Sequence, residues 1–235
     1  MQKTVFYLVT RNIYLSVIPS LKSLLKNGNV DRVYILAEDD DIGVDLPAKV
    51  IVKDITEWKQ RLLDADGPNF GCRWSYMVMI KCAICYMFPK LDRALTMDVD
   101  TIVHDDLSPL WDLPMNGVYF YGAREPYWTM RYGRDYVNAG VLMWNLKRMR
   151  KDGMAGKVLD RMNRHRYTFV EQDCLNEMCR GNIGVFDAAY NAGDWTATPT
   201  EPIRIRHYMA TRGQWLFDPD VTKYGRMDWD EVFRK

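Results

Sequence analysis

The sequence predicts an α/β fold with a mixed, mostly parallel sheet flanked by helices, and three observations at its start carry that prediction. Residues 4–9, Thr-Val-Phe-Tyr-Leu-Val, are a β-branched and aromatic run of the kind that becomes a buried strand. From Tyr14 the apolar positions Tyr14, Val17, Ile18, Leu21, Leu24 and Leu25 follow helical spacing up to Asn27-Gly28, a suitable C-terminal cap. Residues 30–37 then read as a second strand, closed by the acidic cluster 38–41. Strand, helix and strand at this length imply a parallel βαβ unit, and hence a Rossmann-like sheet.

The later elements extend the same pattern. Residues 50–52 are a short third strand, and Asp66-Gly67-Pro68-Asn69 marks a loop. Residues 74–88, stopped by Pro89, read as a helix that is apolar almost all round and therefore buried. Lys81 interrupts it, either snorkelling to solvent or reaching into a site. Residues 117–121 and 137–144 are further strands, and the loop 124–135 between them, rich in aromatic and basic residues, is a candidate lid. A basic helix over 146–166, a short helix over 171–179 and a last strand over 203–207 complete the chain before an aromatic-rich tail. With no internal repeat or linker, residues 1–235 form a single domain.

Composition narrows the function. Thirty-two basic against 31 acidic residues give a net charge of +1, which supplies no single-sign field for a general nucleic-acid binder. Five cysteines, outside any short secreted framework, fit reduced thiols in a cytoplasmic protein. The Cys82-x-x-Cys85 spacing falls in the apolar helix, where buried cysteine packs as a small hydrophobe more often than it binds zinc. No signal peptide is expected, and no run approaches the roughly 20 apolar residues of a transmembrane segment.

The feature that points to chemistry is in the apolar run 91–103, which is broken by Asp98 and Asp100. In an extended segment, acids at i and i+2 leave the same side, so their oxygens can converge on one ion. Like charges this close at the end of a buried strand repel unless a cation neutralises them, and a divalent metal holding a diphosphate is the simplest neutraliser. Alone, such a pair is more often a solvated loop.

Further segments raise the metal reading. Val9-Thr10-Arg11-Asn12-Ile13-Tyr14 follows the first strand, and Leu91-Asp92-Arg93 leads to Met97-Asp98-Val99-Asp100. Val137-Asn138-Ala139-Gly140-Val141 with Asn145-Leu146, then Glu171-Gln172-Asp173, and finally His207-Tyr208 complete the set. In order and spacing these resemble family 8 of the retaining nucleotide-sugar glycosyltransferases, which includes glycogenin and bacterial lipooligosaccharide galactosyltransferases, over nearly the whole chain. The resemblance implies a GT-A-type fold, a UDP-sugar donor, transfer of glucose or galactose to a glycan or other hydroxyl acceptor, and Mn²⁺ as cofactor, with Mg²⁺ the alternative. It implies that Asp98, Asp100 and His207 ligate the metal. Thr10, Asn12, Tyr14 and Val99 would hold the nucleoside, and Asn138 and Gly140 the donor sugar. Gln172 would stand near the anomeric carbon, Asp173 would bind sugar hydroxyls, and Lys81 would offset phosphate charge.

Each segment also has an ordinary structural explanation: Asn12 as a helix cap, Tyr14 as core, Gly140 as a bulge in a strand, His207 as a satisfied structural histidine. After His207 the chain departs from the family's His-Tyr-x-Gly-x-x-Lys-Pro-Trp, because Ala210 stands for the glycine and Gly213 for the phosphate-binding lysine. Arg212, one residue earlier, is the candidate replacement, since a guanidinium suits a diphosphate. That departure keeps a UDP-sugar hydrolase, or a non-catalytic nucleotide-sugar binder, as the alternative. A protein-interaction module built on the basic helix and the Trp128 loop is a third. Tyr127, Trp128, Tyr132, Trp195 and Trp215 suit stacking on sugar rings or simple packing.

Overall fold

The structure, a computed structural model, describes residues 2–132, 135–209 and 213–234, with side chains 130–132 outside that description. Seven strands form the main sheet: β1 (Thr4–Leu8), β2 (Arg32–Ala37), β3 (Val50–Asp54), β4 (Ala94–Met97), β6 (Phe120–Ala123), β7 (Val141–Trp144) and β8 (Ile183–Phe186). Two more, β5 (Thr101–Val103) and β9 (Ile205–His207), pair antiparallel outside it.

The order across the main sheet is β3-β2-β1-β4-β7-β6-β8. β3, β2, β1 and β4 run parallel, β7 is reversed against both β4 and β6, and β8 lies parallel to β6. The predicted mixed, mostly parallel sheet is therefore present. Its chain order turns at β1, which has β2 on one side and β4 on the other, and ligands of open α/β sheets bind beyond the carboxyl ends of strands at such a switch point. Thr10 and Asp98 both lie just past those ends.

Both faces of the central strands are covered, so these strands are apolar throughout rather than alternating. Val5, Tyr7, Leu95 and Met97 point into one core, with Val17, Leu21 and Leu24 of the helix Val17–Asn27. Phe6, Leu36, Leu142 and Trp144 point into the other, with Met79, Ile80 and Ile84. Thr96 is a polar exception in this interior: its Oγ1 accepts from Trp144 Nε1 at 2.9 Å, which satisfies the indole.

Several elements differ from their sequence reading for local reasons. The first helix opens with a 3₁₀ stretch, Arg11–Ser16, and Gly28 at its end keeps φ −81, so the left-handed turn falls on Asn29 at φ 52. Residues 74–88 are not one helix: Met77–Ile80 and Ile84–Met87 flank a 3₁₀ turn at Lys81–Ala83. The basic helix breaks into Leu146–Lys151 and Met154–Arg164 at Gly153, which adopts φ +61. The strand read over 137–144 begins only at Val141. The loop 124–135 contains the helix Pro126–Tyr132, while residues 133–134 lie outside the described part, so its reading as a lid does too. The strand at 203–207 forms as Ile205–His207 but leaves the main sheet to pair with β5. Among the described residues no helix is long and apolar enough to cross a membrane.

Replacing Thr96 by Val keeps the shape of the buried side chain and strands the Trp144 N–H without a partner. The expected cost is about 1–3 kcal/mol, read from urea unfolding as a lower midpoint at unchanged slope.

Candidate active site

Asp98 and Asp100 stand in the turn between β4 and β5, not on the extended segment that their i, i+2 spacing suggested. Two bonds shape that turn: Asp98 N–H to Gly140 O at 2.8 Å, and Thr101 Oγ1 to Asp98 O at 2.8 Å. β5 then pairs with β9 in a register that sets Thr101 opposite His207, and the Tyr208 N–H bonds Asp100 O at 2.9 Å. This pairing carries His207 across 107 positions of sequence to the acid pair. Its Nε2 lies 3.2 Å from Asp100 Oδ1 and 3.9 Å from Asp98 Oδ2, and one ligand atom from each of the three residues falls within 4.8 Å of the others. Two hard carboxylate oxygens and one imidazole form a donor set that suits a divalent cation such as Mn²⁺.

The histidine is pre-oriented for that role. Asn191, fully buried, accepts from His207 Nδ1 through Oδ1 at 2.8 Å and donates through Nδ2 to Asn138 Oδ1 at 2.9 Å. Asn138 Nδ2 donates in turn to Glu125 Oε2 at 3.0 Å. The Gly140 N–H, which can only donate, bonds Asn138 Oδ1 at 2.9 Å, so it fixes the direction of both amides and leaves the proton on Nδ1. Nε2 is then the nitrogen that could ligate a cation. Burial opposes charge on both His207 and Asp100, yet their mutual attraction prevails: the imidazole lies above its ordinary pKa and the carboxyl below. A bound cation would take the place of the proton they share. Gly140 lies against this ring, and a Cβ there would collide with it.

Lys81 anchors the other side. Burial alone would push its pKa down, but Asp98 and Glu171 raise it, so the ammonium stays charged. Its Nζ reaches Asp98 Oδ1 at 2.9 Å, Ala139 O at 2.9 Å and Glu171 Oε1 at 3.3 Å. It thereby ties the β4–β5 turn, the segment before β7 and the helix Val170–Met178 to one point.

Two cavities meet at the acid pair. One of about 660 Å³ is lined by Asn138, Gly140, Gln172, Glu125 and His207, and the other, of about 400 Å³, by Thr10, Val99 and Lys81. Trp74, Val78, Asp98 and Asp100 line both.

The structure thus brings together Asp98, Asp100, His207, Lys81, Asn138, Gly140 and Gln172, with Thr10 and Val99 in the adjoining cavity. Three expected residues sit elsewhere. Asn12 is exposed and accepts from Thr10 Oγ1 at 2.6 Å; it is not a helix cap and lines neither of these two cavities. Tyr14 is buried in the core, and its hydroxyl is held by Asp39 and the Glu38 N–H, which leaves no free ring face for a base. Asp173 turns away from the cavity to accept from Tyr136 OH at 2.6 Å and from the Phe169 N–H at 2.9 Å. It orders the start of its helix. Arg212 lies outside the described residues.

Sequence reasoning missed Glu125 and Asn191. Glu125 is 2% exposed, and burial pushes its carboxyl pKa up against the hydrogen bonds from Asn138 and Gln172. Its signal was available, because it stands two residues past the carboxyl end of β6 on the edge where β4 ends. Asn191 had none, since its role depends on a register between distant strands.

The sequence profile of glycosyl transferase family 8 matches residues 5–216. The chain belongs to glycosyltransferase family 8. Among its relatives, a putative glycosyltransferase of Haemophilus influenzae is 24% identical over 181 residues, covering 65% of this chain and 53% of its own length. Glycosyltransferase GlyE of Streptococcus pneumoniae is 24% identical over 250 residues, covering 92% of this chain and 59% of its own. The chain thus spans little more than half the length of these relatives. Among solved structures, galactosyltransferase LgtC in complex with donor and acceptor sugar analogs superposes with a TM-score of 0.73 at 15% identity, over 94% of this chain and 95% of that one. GlyE also gives 0.73, at 20% identity, over 99% of this chain and 62% of its own. These likenesses establish the GT-A fold.

Asn191→Ala removes the acceptor that fixes the His207 tautomer. Calorimetric titration with Mn²⁺ in the presence of UDP is expected to show a 10- to 100-fold weaker metal affinity, the usual consequence of losing such a supporting bond.

Proposed function

We propose that this family 8 chain is a metal-dependent retaining glycosyltransferase that moves a hexose, glucose or galactose, from a UDP-sugar to an acceptor hydroxyl on a glycan. The observation that supports this reading is the junction of two cavities at Asp98 and Asp100. A nucleotide-sugar has the same layout: a nucleoside at one end, a sugar at the other and a diphosphate between. The smaller cavity, with Thr10 and Val99, suits uridine, and the larger, with Asn138, Gly140 and Glu125, suits the hexose. Bare carboxylates would repel the diphosphate, so the centre needs a cation. Asp98, Asp100 and His207 would hold it, and the imidazole favours Mn²⁺ over Mg²⁺. When bound, the metal supplies Lewis acidity to the departing diphosphate.

The chain's own residues account for the rest. Lys81 pairs with Asp98 at 2.9 Å and would aim it at the centre, and Arg212 is assigned a phosphate contact on sequence grounds. Retention needs either a covalent sugar intermediate or attack from the face that the diphosphate leaves. Glu171 is paired with Lys81, and Glu125 already accepts from Asn138 and Gln172, so neither carboxylate is free as a nucleophile. Same-face attack follows, with a donor phosphate oxygen taking the acceptor proton. Gln172 would steady the cationic sugar, and its amide is fixed for this: Oε1 accepts from the Ala139 N–H, while Nε2 donates to Glu125, each at 3.0 Å. Five free cysteines fit a reducing, cytoplasmic setting.

Calorimetry with UDP is expected to show Mn²⁺-dependent binding that the Asp98→Asn, Asp100→Asn double variant loses. A screen of UDP-sugars, read as UDP release with and without acceptor, identifies the donor and separates transfer from hydrolysis. Binding without turnover of any donor would favour the non-catalytic alternative. Gln172→Ala should lower kcat about a hundredfold, as loss of one transition-state dipole does elsewhere. A value within a few-fold of the unmodified enzyme would remove Gln172 from the reaction.

A further inference from the structure

A side-chain amide offers two N–H groups and two lone pairs on its oxygen. In Gln172 the fold commits all but one of these. Oε1 accepts from the Ala139 N–H at 3.0 Å, while Nε2 donates both to Glu125 Oε2 and to the Tyr136 hydroxyl, each at 3.0 Å. Among the described residues, a single lone pair of Oε1 is left without a partner, on a side chain that lines the larger cavity. The negative end of the amide dipole is therefore the end on offer there.

A hydroxyl can donate or accept, so Tyr136 can hold Nε2 only while its own proton is directed elsewhere. Asp173 directs it. The Tyr136 hydroxyl donates to Asp173 Oδ1 at 2.6 Å, and Asp173 Oδ2 accepts from the N–H groups of Thr168 and Phe169 at 3.1 and 2.9 Å. Tyr136 and Asp173 are each 2% exposed, so water does not compete for these bonds. Burial and the neighbouring carboxylate both push the Tyr136 phenol up, so it keeps the proton that it gives to Asp173.

Resting on the reading of Gln172 as the group beside the anomeric carbon, we infer that Tyr136, oriented by Asp173, is a positioning residue for transfer: it holds the Gln172 N–H away and leaves only the amide oxygen to meet the cationic sugar. Asp173 thereby acts on the donor sugar through two intermediaries and not by binding its hydroxyls. Positive charge at the sugar carbon develops in the transition state and is absent from the bound donor, so the effect belongs in kcat and not in donor affinity.

The test is a double-mutant cycle on kcat, read as UDP release with Mn²⁺ and the preferred UDP-hexose. Tyr136→Phe removes the hydroxyl and keeps the ring. It should lower kcat about tenfold, the size of one lost hydrogen bond, with donor KM and calorimetric UDP affinity within about twofold of the parent's. Asp173→Asn is the second variant, and it carries the cycle if Tyr136→Phe does not fold. Its oxygen can still accept from Thr168 and Phe169, but its amide then donates to Tyr136 and turns that hydroxyl's proton toward Gln172. It should lower kcat at least as much. In a Gln172→Ala background neither substitution should lower kcat further, because no amide remains to be oriented. A merely structural role would lower kcat by the same factor in both backgrounds. That result, a parental kcat in both single variants, or a loss confined to donor KM would overturn the inference and leave Gln172 in the reaction. A Gln172→Ala enzyme within a few-fold of the parent, or no turnover of any donor by the parent, would instead overturn the reading beneath it, and the inference with it.

Discussion

One buried ammonium organises the centre of this molecule. An uncompensated Lys81 could not remain charged in an interior position, and burial pushes the carboxyl of Glu171 beside it up against the pull of that ammonium. Because its partners come from the β4–β5 turn, the segment before β7 and the helix Val170–Met178, satisfying this one charge fixes the relative position of three elements that contribute to the cavity. Asp98 is thereby held at the junction of the two cavities, with Gly140 and Gln172 on one side and Val99 on the other.

The second constraint is the short ladder of β5 and β9. Three residues pair with three, which is too little to be stable alone. It is sustained by packing of Ile102 under Tyr208, Trp215 and the helix Pro219–Arg226, and by Val103 and Ile205 in the main core. Those contacts serve function at a distance, since the register they maintain decides whether His207 meets the acid pair. The Glu125–Asn138–Asn191 chain then sets which nitrogen it presents. The candidate metal ligands and the residues proposed to face the sugar are thus joined by hydrogen bonds within the same fold.

The parallel half of the sheet was legible because its strands are buried on both faces, and residues 4–9 and 30–37 carry that burial as unbroken apolar runs. The acid pair was legible because charge at the end of a buried strand is conspicuous. What was not legible depended on tertiary context. Tyr14 shows the same helical periodicity whether its hydroxyl meets a ligand or Asp39. Asp173 belongs to a charged triplet whose members diverge once the helix forms, with Glu171 turning to Lys81 and Asp173 to Tyr136. The break at Gly153 and the 3₁₀ turn at Lys81 interrupt patterns that read as continuous, because periodicity records which face is apolar and not whether the backbone stays regular along it. The geometry gives residues 207–209 their place, while the altered segment that follows, with Arg212, stays a reading of sequence.

The central claim is that Asp98, Asp100 and His207 together hold a divalent cation against a nucleoside diphosphate. The most direct measurement is anomalous diffraction at the manganese edge from crystals grown with UDP and Mn²⁺. The account predicts one strong peak within bonding distance of all three side chains and of the diphosphate oxygens. A peak that leaves His207 unligated, or UDP seated with no metal between it and the acid pair, would contradict it.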